Sequence, residues 1–334
     1  MSKLITGGTG FLGAQLANLL VERGEDIILF DVNPNLDRIR DIKERVEIVQ
    51  GDLGNWAEVL NVVKKTTPEG IYHLASMLSL PSQDNPWVSF QVNVCGTMHV
   101  LEAARLFDVE KVIFTSSVGT YGLGLSQVIT DDTLQRPTSM YGCGKTYCEL
   151  LGRFYRTKFG LDFRTFRAPT LVGPGVRTPG AAQYVSLMLE YAALGKPYEC
   201  YVSEDTAFAP PMYFKDSVRA LDMLYRAPKK GIKTINYNVA GLRESKTAKE
   251  LEEAIRKHVP EFTLVYKPDK EVIEYHKKYQ VGQTYDDTNA REEWGWNPLY
   301  QDLESIVVDY IKEVQTRPLF FGIKGSEGPP KRAG

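Results

Sequence analysis

The sequence predicts an α/β protein with a parallel, doubly wound sheet and a smaller lobe in the later part of the chain. Short apolar strands alternate with helical periodicities from Lys3 to Phe166, which is typical of such sheets. A glycine-rich turn, Gly7–Gly13, joins the first strand to the first helix. Polar residues follow several strands, and ligands of this fold class bind where strands end.

The first strand, turn and helix form one unit. Lys3–Thr6 is apolar, and Leu12, Leu16, Leu19 and Leu20 recur at helical spacing before Arg23-Gly24 stops the helix. We expect Gly7 to allow a tight turn, Gly10 a close approach to a pyrophosphate and Gly13 tight packing. Phe11 and Leu12 open the helix, whose N-terminus would bind the phosphates.

An acidic residue follows the second predicted strand, Asp26–Phe30. Asp31 lies about 20 residues beyond the glycines, where a carboxylate bonds ribose hydroxyls and repels a 2′-phosphate. The sequence therefore predicts NAD rather than NADP as cofactor.

Further strands are expected over Arg45–Val49, Gly70–Leu74, Lys111–Phe114 and Leu161–Phe166, with helices over Trp56–Val63 and most of Trp87–Phe107. The residues that these elements would bring to the cofactor are Asp52, Leu53, Leu74, Ala75, Ser76 and Asn93. His73 lies within a buried strand, so we interpret it as a packed core histidine.

A tyrosine and a lysine four residues apart suggest catalysis. Tyr141 and Lys145 share one helical face, and a lysine beside a positive nicotinamide ring would lower the pKa of the phenol. Such a phenol could take a proton from a hydroxyl while hydride leaves for the cofactor. Ser117 could hydrogen-bond the same substrate oxygen.

Composition excludes several classes of partner. A net charge of −2 over 334 residues gives no reason to expect nucleic acid or an anionic membrane. No apolar run is long enough for a membrane span, and the N-terminal residues leave no room for a signal peptide. Four cysteines without paired metal spacing indicate reduced thiols, no metal site and a cytoplasmic protein.

Together these motifs resemble the extended short-chain dehydrogenases/reductases, the NAD-dependent epimerase/dehydratase family. The resemblance rests on the glycine turn, Asp31, Asp52-Leu53, His73–Ser76, Asn93, Thr115–Ser117 and Tyr141-x-x-x-Lys145. It implies a Rossmann-type fold, the catalytic triad Ser117, Tyr141 and Lys145, and a largely structural role for Asn93. It also implies a homodimer built from helices near 93–107 and 141–155.

The resemblance divides the chain into a NAD-binding core, 1–168, to which about 211–240 return, a mainly substrate-binding lobe, 169–320, and a flexible tail, 321–334. Ala168 and Thr170 would lie where the chain passes the nicotinamide ring of the cofactor. We also expect a helix over Gly180–Leu194, a strand over Pro197–Val202 and a capping aspartate, Asp216, in the segment Met212–Ala220.

Segments such as Tyr198–Thr206 and Asp286–Trp296 resemble one subgroup, the short-chain-type L-threonine 3-dehydrogenases. The substrate loop departs from that subgroup, since Ala181, Ala182 and Gln183 replace two threonines and an aspartate. Losing hydroxyl contacts costs about 0.5–1.5 kcal/mol each, so the substrate could differ from threonine. Candidate substrate-binding residues are Ser76, Ser79, Ser117, Tyr141, Arg177, Thr178 and Tyr184.

The leading hypothesis is an NAD-dependent oxidoreductase that oxidises a secondary alcohol of a small polar hydroxy or amino acid. The alternative is a sugar-nucleotide epimerase or dehydratase with tightly bound NAD. Pro210-Pro211 replace the Arg-Asp pair that usually precedes the matching segment of those enzymes, which favours a small substrate. A non-catalytic NAD-binding protein is a third reading, although every catalytic position is filled.

Overall fold

A parallel sheet organises the chain in the computed structural model, which describes residues 2–176, 182–279 and 283–323. Its strands are β1 Lys3–Thr6, β2 Ile27–Asp31, β3 Val46–Gln50, β4 Gly70–His73, β5 Lys111–Ser117, β6 Asp162–Ala168 and β7 Asn236–Asn238. Their order in the sheet is β7-β6-β5-β4-β1-β2-β3, and every neighbouring pair is parallel. The order reverses between β1 and β4, which is where doubly wound sheets bind their ligands.

Apolar residues on both faces of the sheet explain why helices cover both sides. Along β2, Ile27 and Leu29 pack into one core, whereas Ile28 and Phe30 pack into the other. Successive side chains of a strand point to opposite faces, so a continuous apolar run buries both. The predicted fold class, a Rossmann-type doubly wound sheet, is confirmed.

Within the described residues, three α-helices cover each face. The first core takes its α-helical residues from α1 Phe11–Glu22, α6 Phe214–Arg226 and α9 Thr288–Trp294. The other core takes them from α2 Trp56–Thr66, α3 Gly96–Leu106 and α4 Met140–Phe159. The β7 strand belongs to the region expected to return to the sheet, and it pairs with β6.

A third core lies in the later part of the chain. It joins α5 Gln183–Ala193, α7 Ala248–Arg256 and α10 Leu303–Thr316. The expected strand is Tyr198–Cys200, which pairs with Leu264–Tyr266 outside the main sheet. The helix α8 Lys270–Tyr279 also lies in this part of the chain.

Small paired segments and turns connect these elements. They comprise short helices at Leu36–Ile39, Lys43–Arg45, Ser79–Asp84, Pro86–Ser89, Val118–Thr120, Lys229–Gly231 and Pro318–Phe321, a π-helix at Phe90–Cys95, and two-residue strands at Val128–Ile129, Leu171–Val172, Ala207–Phe208, Met212–Tyr213, Lys246–Thr247 and Thr284–Tyr285. Among the described helices, none is both long and apolar enough to cross a membrane.

Asp216 does not cap its own helix as the sequence suggested. Tyr213 holds the N-cap position of α6, and the Asp216 carboxylate accepts hydrogen bonds from the amides of Leu299 (2.8 Å) and Tyr300 (3.0 Å). The aspartate is fully buried, so distant amides satisfy it better than a helix end at its own position would. It therefore fastens α6 to the turn before α10.

Candidate active site

The glycine turn is shaped by close backbone contacts. Gly7 has φ +65°, a conformation that favours glycine, and a Cβ on Gly13 would lie 2.1 Å from the carbonyl oxygen of Gly7. The helix that follows begins at Phe11 with no side-chain cap and no acidic residue in its first turn. Its N-terminus therefore suits a pyrophosphate, which would accept from its amides and interact favourably with its dipole.

Asp31 ends β2 and is fixed to this turn. Its carboxylate accepts from the Thr9 amide (3.1 Å) and the Thr9 hydroxyl (2.8 Å). This places an acidic group beside the glycine turn, where the ribose of NAD would lie. Beyond β3, the Asp52 carboxylate accepts from the Gly54 amide, and Leu53 is buried.

The segment after β4 is held by Asn93, which lies in the π-helix Phe90–Cys95. The Asn93 amide group accepts from the Met77 amide (2.7 Å) and the Ser76 hydroxyl (3.2 Å) and donates to the Met77 carbonyl (2.9 Å). The Leu74 amide donates a hydrogen bond to the carbonyl of Thr6 on β1, and the Ala75 amide donates one to the Thr6 hydroxyl. Asn93 thus sets the path of the chain at the carboxyl end of β4, and π-helical turns often mark functional sites.

The three proposed catalytic side chains come together at the carboxyl end of β5. Ser117 is the last residue of β5, and a Cβ on Gly119 would lie 3.4 Å from the Ser117 hydroxyl oxygen and 3.8 Å from the Tyr141 ring, so the two side chains are neighbours. The Lys145 ammonium donates to the Thr115 carbonyl (2.7 Å) and lies 5.5 Å from the Tyr141 ring centre. Ser139 caps the helix that carries both residues, and Gln83 accepts from the Met140 amide.

Burial governs the acidity of this group. It raises the pKa of Tyr141 to about 12, and the neighbouring Ser117 hydroxyl opposes that rise. It lowers the pKa of Lys145 to about 8, whereas Cys148 and Glu149 act to raise it. The sequence predicts a lowered pKa for this phenol. Burial in the protein alone disfavours the phenolate, so a lowered pKa would require the positive charge of a bound nicotinamide ring.

Other predicted site residues lie at neighbouring strand ends or in the later part of the chain. Ala168 is paired with Ser117 across β5 and β6, and the Thr170 carbonyl accepts from the Met212 amide. Ser79 is exposed at the start of Ser79–Asp84. Tyr184 is fully buried, and its hydroxyl donates to the Thr206 carbonyl (3.4 Å). Arg177 and Thr178 lie outside the described residues. Their roles in substrate binding stay predictions, and so does that of Tyr184.

The sequence missed three contributors to this site. Thr9 fixes Asp31, Gln83 binds the start of the Tyr141 helix, and Glu149 lies buried one turn after Lys145. Only Glu149 left a signal, namely its four-residue spacing from Lys145. In the described parts of the chain, no three His, Cys, Asp or Glu side chains are grouped as metal ligands.

Comparison with known proteins agrees with this geometry. Residues 3–240 match the NAD dependent epimerase/dehydratase family. A mitochondrial L-threonine 3-dehydrogenase of Bos taurus is 30% identical over 315 residues, covering 92% of this chain and 81% of the relative.

Two solved structures have similar folds. The holo form of a GalE-like L-threonine dehydrogenase from Cupriavidus necator has a TM-score of 0.82 at 30% identity, covering 93% of this chain and 99% of that one. A monomeric L-threonine 3-dehydrogenase from a metagenome database, in apo form, has a TM-score of 0.82 at 27% identity, with 94% and 98% covered. The chain therefore belongs to the NAD-dependent epimerase/dehydratase family and is an NAD-dependent dehydrogenase of the extended short-chain dehydrogenase/reductase type.

Proposed function

We propose that the protein oxidises a secondary alcohol of a small polar hydroxy or amino acid, in the manner of L-threonine 3-dehydrogenase. The observation that carries the proposal is the meeting of Ser117, Tyr141 and Lys145 at the carboxyl end of β5. This edge also holds the glycine turn, so a substrate hydroxyl and a nicotinamide ring would meet there.

Each side chain has a distinct task in this proposal. Tyr141 takes the hydroxyl proton as general base, and Ser117 donates a hydrogen bond to the substrate oxygen. Lys145 stabilises the phenolate and binds the nicotinamide ribose. Bound NAD supplies the acceptor for the hydride.

Two features support a small substrate. Pro210 and Pro211 are buried, and neither offers a cation to a diphosphate. Relatives that match most of the chain include L-threonine 3-dehydrogenases. Ala182 occupies the N-cap position of α5 without a side-chain hydrogen bond, so the hydroxyl of the threonine enzymes is absent there. We therefore propose other hydroxy acids, in addition to threonine, as candidate substrates. The proposed substrate contacts are Ser76, Ser79, Arg177, Thr178 and Tyr184.

We further propose that residues 169–320 form mainly a substrate-binding lobe, that the protein is cytoplasmic and that it forms a homodimer. The third hydrophobic core supports a separate lobe, and the four free cysteines suit a reducing compartment. Exposed apolar residues on α3 and α4 support the homodimer.

The first test is NADH formation by the purified protein with NAD and a panel of L-threonine, L-serine, small 3-hydroxy acids, aldonates and UDP-sugars. Activity with threonine or another hydroxy acid supports the proposal. Conversion of a sugar nucleotide without net NADH would instead assign the protein to the epimerases.

A substitution then tests the chemistry. Tyr141→Phe should retain NAD binding but lose about 10²- to 10⁴-fold in kcat, because it removes the general base. Tyr147→Phe is the matched control, since Tyr147 lies on the same helix but is 52% exposed. Near-normal turnover by Tyr141→Phe would refute the assignment.

A further inference from the structure

A buried ion pair lies directly behind the proposed catalytic residues. Glu149 follows Lys145 by one helical turn, and its carboxylate is fully buried. It pairs with Arg167 at 2.8 Å, and Arg167 is the residue before Ala168 on β6. The same carboxylate accepts from Ser116 (2.5 Å), Gln135 (2.9 Å) and Asn236 (3.3 Å).

These contacts connect α4 to β5, β6, β7 and the loop before α4. Ser116 precedes Ser117 on β5, Asn236 begins β7, and Gln135 comes from the loop before α4. Arg167 also donates to the Tyr121 hydroxyl (2.6 Å) and the Asp131 carbonyl (2.8 Å). The pair therefore links the strand that carries Ser117 to the helix that carries Tyr141 and Lys145.

We propose that Glu149 and Arg167 are positioning residues of the active site: they fix Ser117 against Tyr141 and place a negative charge beneath Lys145. The inference rests on the proposed function for its catalytic part. Neither residue is required to touch the substrate. Glu149 acts through Ser116 and through its charge, and Arg167 acts by holding the Glu149 carboxylate in place.

The charges around Lys145 support the electrostatic half of this proposal. Tyr141, Cys148 and Glu149 lie on its own helix, and His73 faces it from β4. Burial lowers the pKa of His73 to about 3 and raises that of Cys148 to about 11, so both are neutral at pH 7. Glu149 is the negative member of this group, and it favours the ammonium form of Lys145.

The deciding experiment measures the ionisation of Lys145 in the full-length protein. In protein labelled with ¹³C and ¹⁵N at lysine, the Lys145 signal is identified by its loss in Lys145→Met and titrated by NMR. We expect Glu149→Gln to lower the pKa of Lys145 by about 1 unit, because a negative charge is removed and Arg167 is left unpaired. An unchanged pKa would overturn the electrostatic role, whether or not any substrate has been found.

Kinetics test the geometric half. Ser116→Ala removes one hydrogen bond and should fold, and we expect kcat to fall about 10-fold at constant KM for NAD because Ser117 loses its alignment. In Glu149→Gln, the alkaline limb of the pH profile of kcat should move to lower pH, together with the pKa of Lys145. An unchanged kcat in Ser116→Ala would overturn the geometric role.

Glu293→Gln provides a matched control. Glu293 also accepts several hydrogen bonds, from the amides of Lys233 and Thr234 and the Tyr237 hydroxyl, but it is not among the groups that act on the pKa of Lys145. Its replacement should lower stability without moving the Lys145 titration. An equal shift in Glu293→Gln and Glu149→Gln would show a general effect of destabilisation and overturn the proposal. If the wild type forms no NADH with any substrate while the Lys145 shift is found, the proposed function fails and the positioning role stands.

Discussion

At the scale of single residues, burial decides what a titratable side chain can do. His73 is fully buried in β4, and its two ring nitrogens hydrogen-bond the hydroxyls of Thr6 (2.8 Å) and Thr97 (2.9 Å). Burial lowers its pKa to about 3, so the ring stays neutral at physiological pH. The structure confirms the interpretation of His73 as a packed core histidine rather than a free acid or base.

This environment predicts a pH dependence of stability. The pKa of His73 is lower in the folded protein than the ordinary value of 6.5, so below pH 6.5 the unfolded chain binds the additional proton. The free energy of unfolding should therefore fall as pH drops from about 6.5 to 3, by on the order of 5 kcal/mol at most. His73→Asn should flatten this part of the curve in urea unfolding.

The control for that prediction is His258→Asn, because His258 is exposed. The same carboxylates titrate in the wild type and in the variants. The difference in the free energy of unfolding between His73→Asn and wild type therefore reports on His73. Parallel curves for wild type and His73→Asn between pH 6.5 and 4 would contradict the prediction.

At the scale of elements, strong periodicity made most of the sheet predictable. Lys3–Thr6 has the same bounds in sequence and structure, and β5 extends the predicted Lys111–Phe114 by three residues to Ser117. The β7 strand, Asn236–Asn238, is too short and polar to show a period of two. Helix α10 was not predicted, although Ile306, Val307, Tyr310 and Val314 recur at helical spacing.

The site was predictable where its residues form local motifs and not where they meet only in the fold. The spacing of Tyr141 and Lys145 predicts a shared helical face, and the structure places them on one helix. The bonds of Glu149 could not be predicted, because Ser116 and Arg167 lie 33 and 18 residues away along the chain. Asp216 was misassigned for the same reason, since its partners begin 83 residues later.

The contacts of Asp216 predict how one element depends on another. Asp216→Ala would leave the amides of Leu299 and Tyr300 without their carboxylate acceptor, and losing a hydrogen bond to a charged group costs about 1.5–3 kcal/mol. The turn before α10 should loosen, and urea unfolding should show lower stability. Amide hydrogen exchange should show the largest loss of protection in residues 303–316.

Asp216→Asn serves as the comparison, because its carboxamide keeps one oxygen acceptor and nearly the same size. We expect an intermediate loss of stability. Equal stability of Asp216→Ala and wild type, with unchanged protection of α10, would show that this carboxylate does not fasten the two elements.

At the scale of the whole molecule, the catalytic helix also carries an apolar surface. Tyr147, Leu150 and Phe154 lie at i, i+3 and i+7 on α4 and are 52%, 59% and 53% exposed. Met98 and Leu106 on the adjacent α3 are also exposed, at 41% and 46%. Apolar side chains grouped in this way on neighbouring helices mark a surface for association, which supports the proposed homodimer.

The homodimer predicts a specific effect of a charge on this surface. In Leu150→Asp, two carboxylates would be buried in a two-fold interface without partners, so the sedimentation mass should fall from dimer to monomer at micromolar concentration. Leu299→Asp is the matched control, because Leu299 is equally exposed at 59% but lies on the turn before α10. It should remain dimeric.

The wild-type mass is the first measurement, because one structural neighbour is described as monomeric. A monomeric wild type would refute the homodimer. If Leu150→Asp remains dimeric, the interface does not include this surface of α4. If Leu150→Asp is monomeric, its kcat becomes informative: Tyr141 and Lys145 share α4 with this surface, so loss of activity with unchanged stability would mean that the dimer holds the catalytic helix in place.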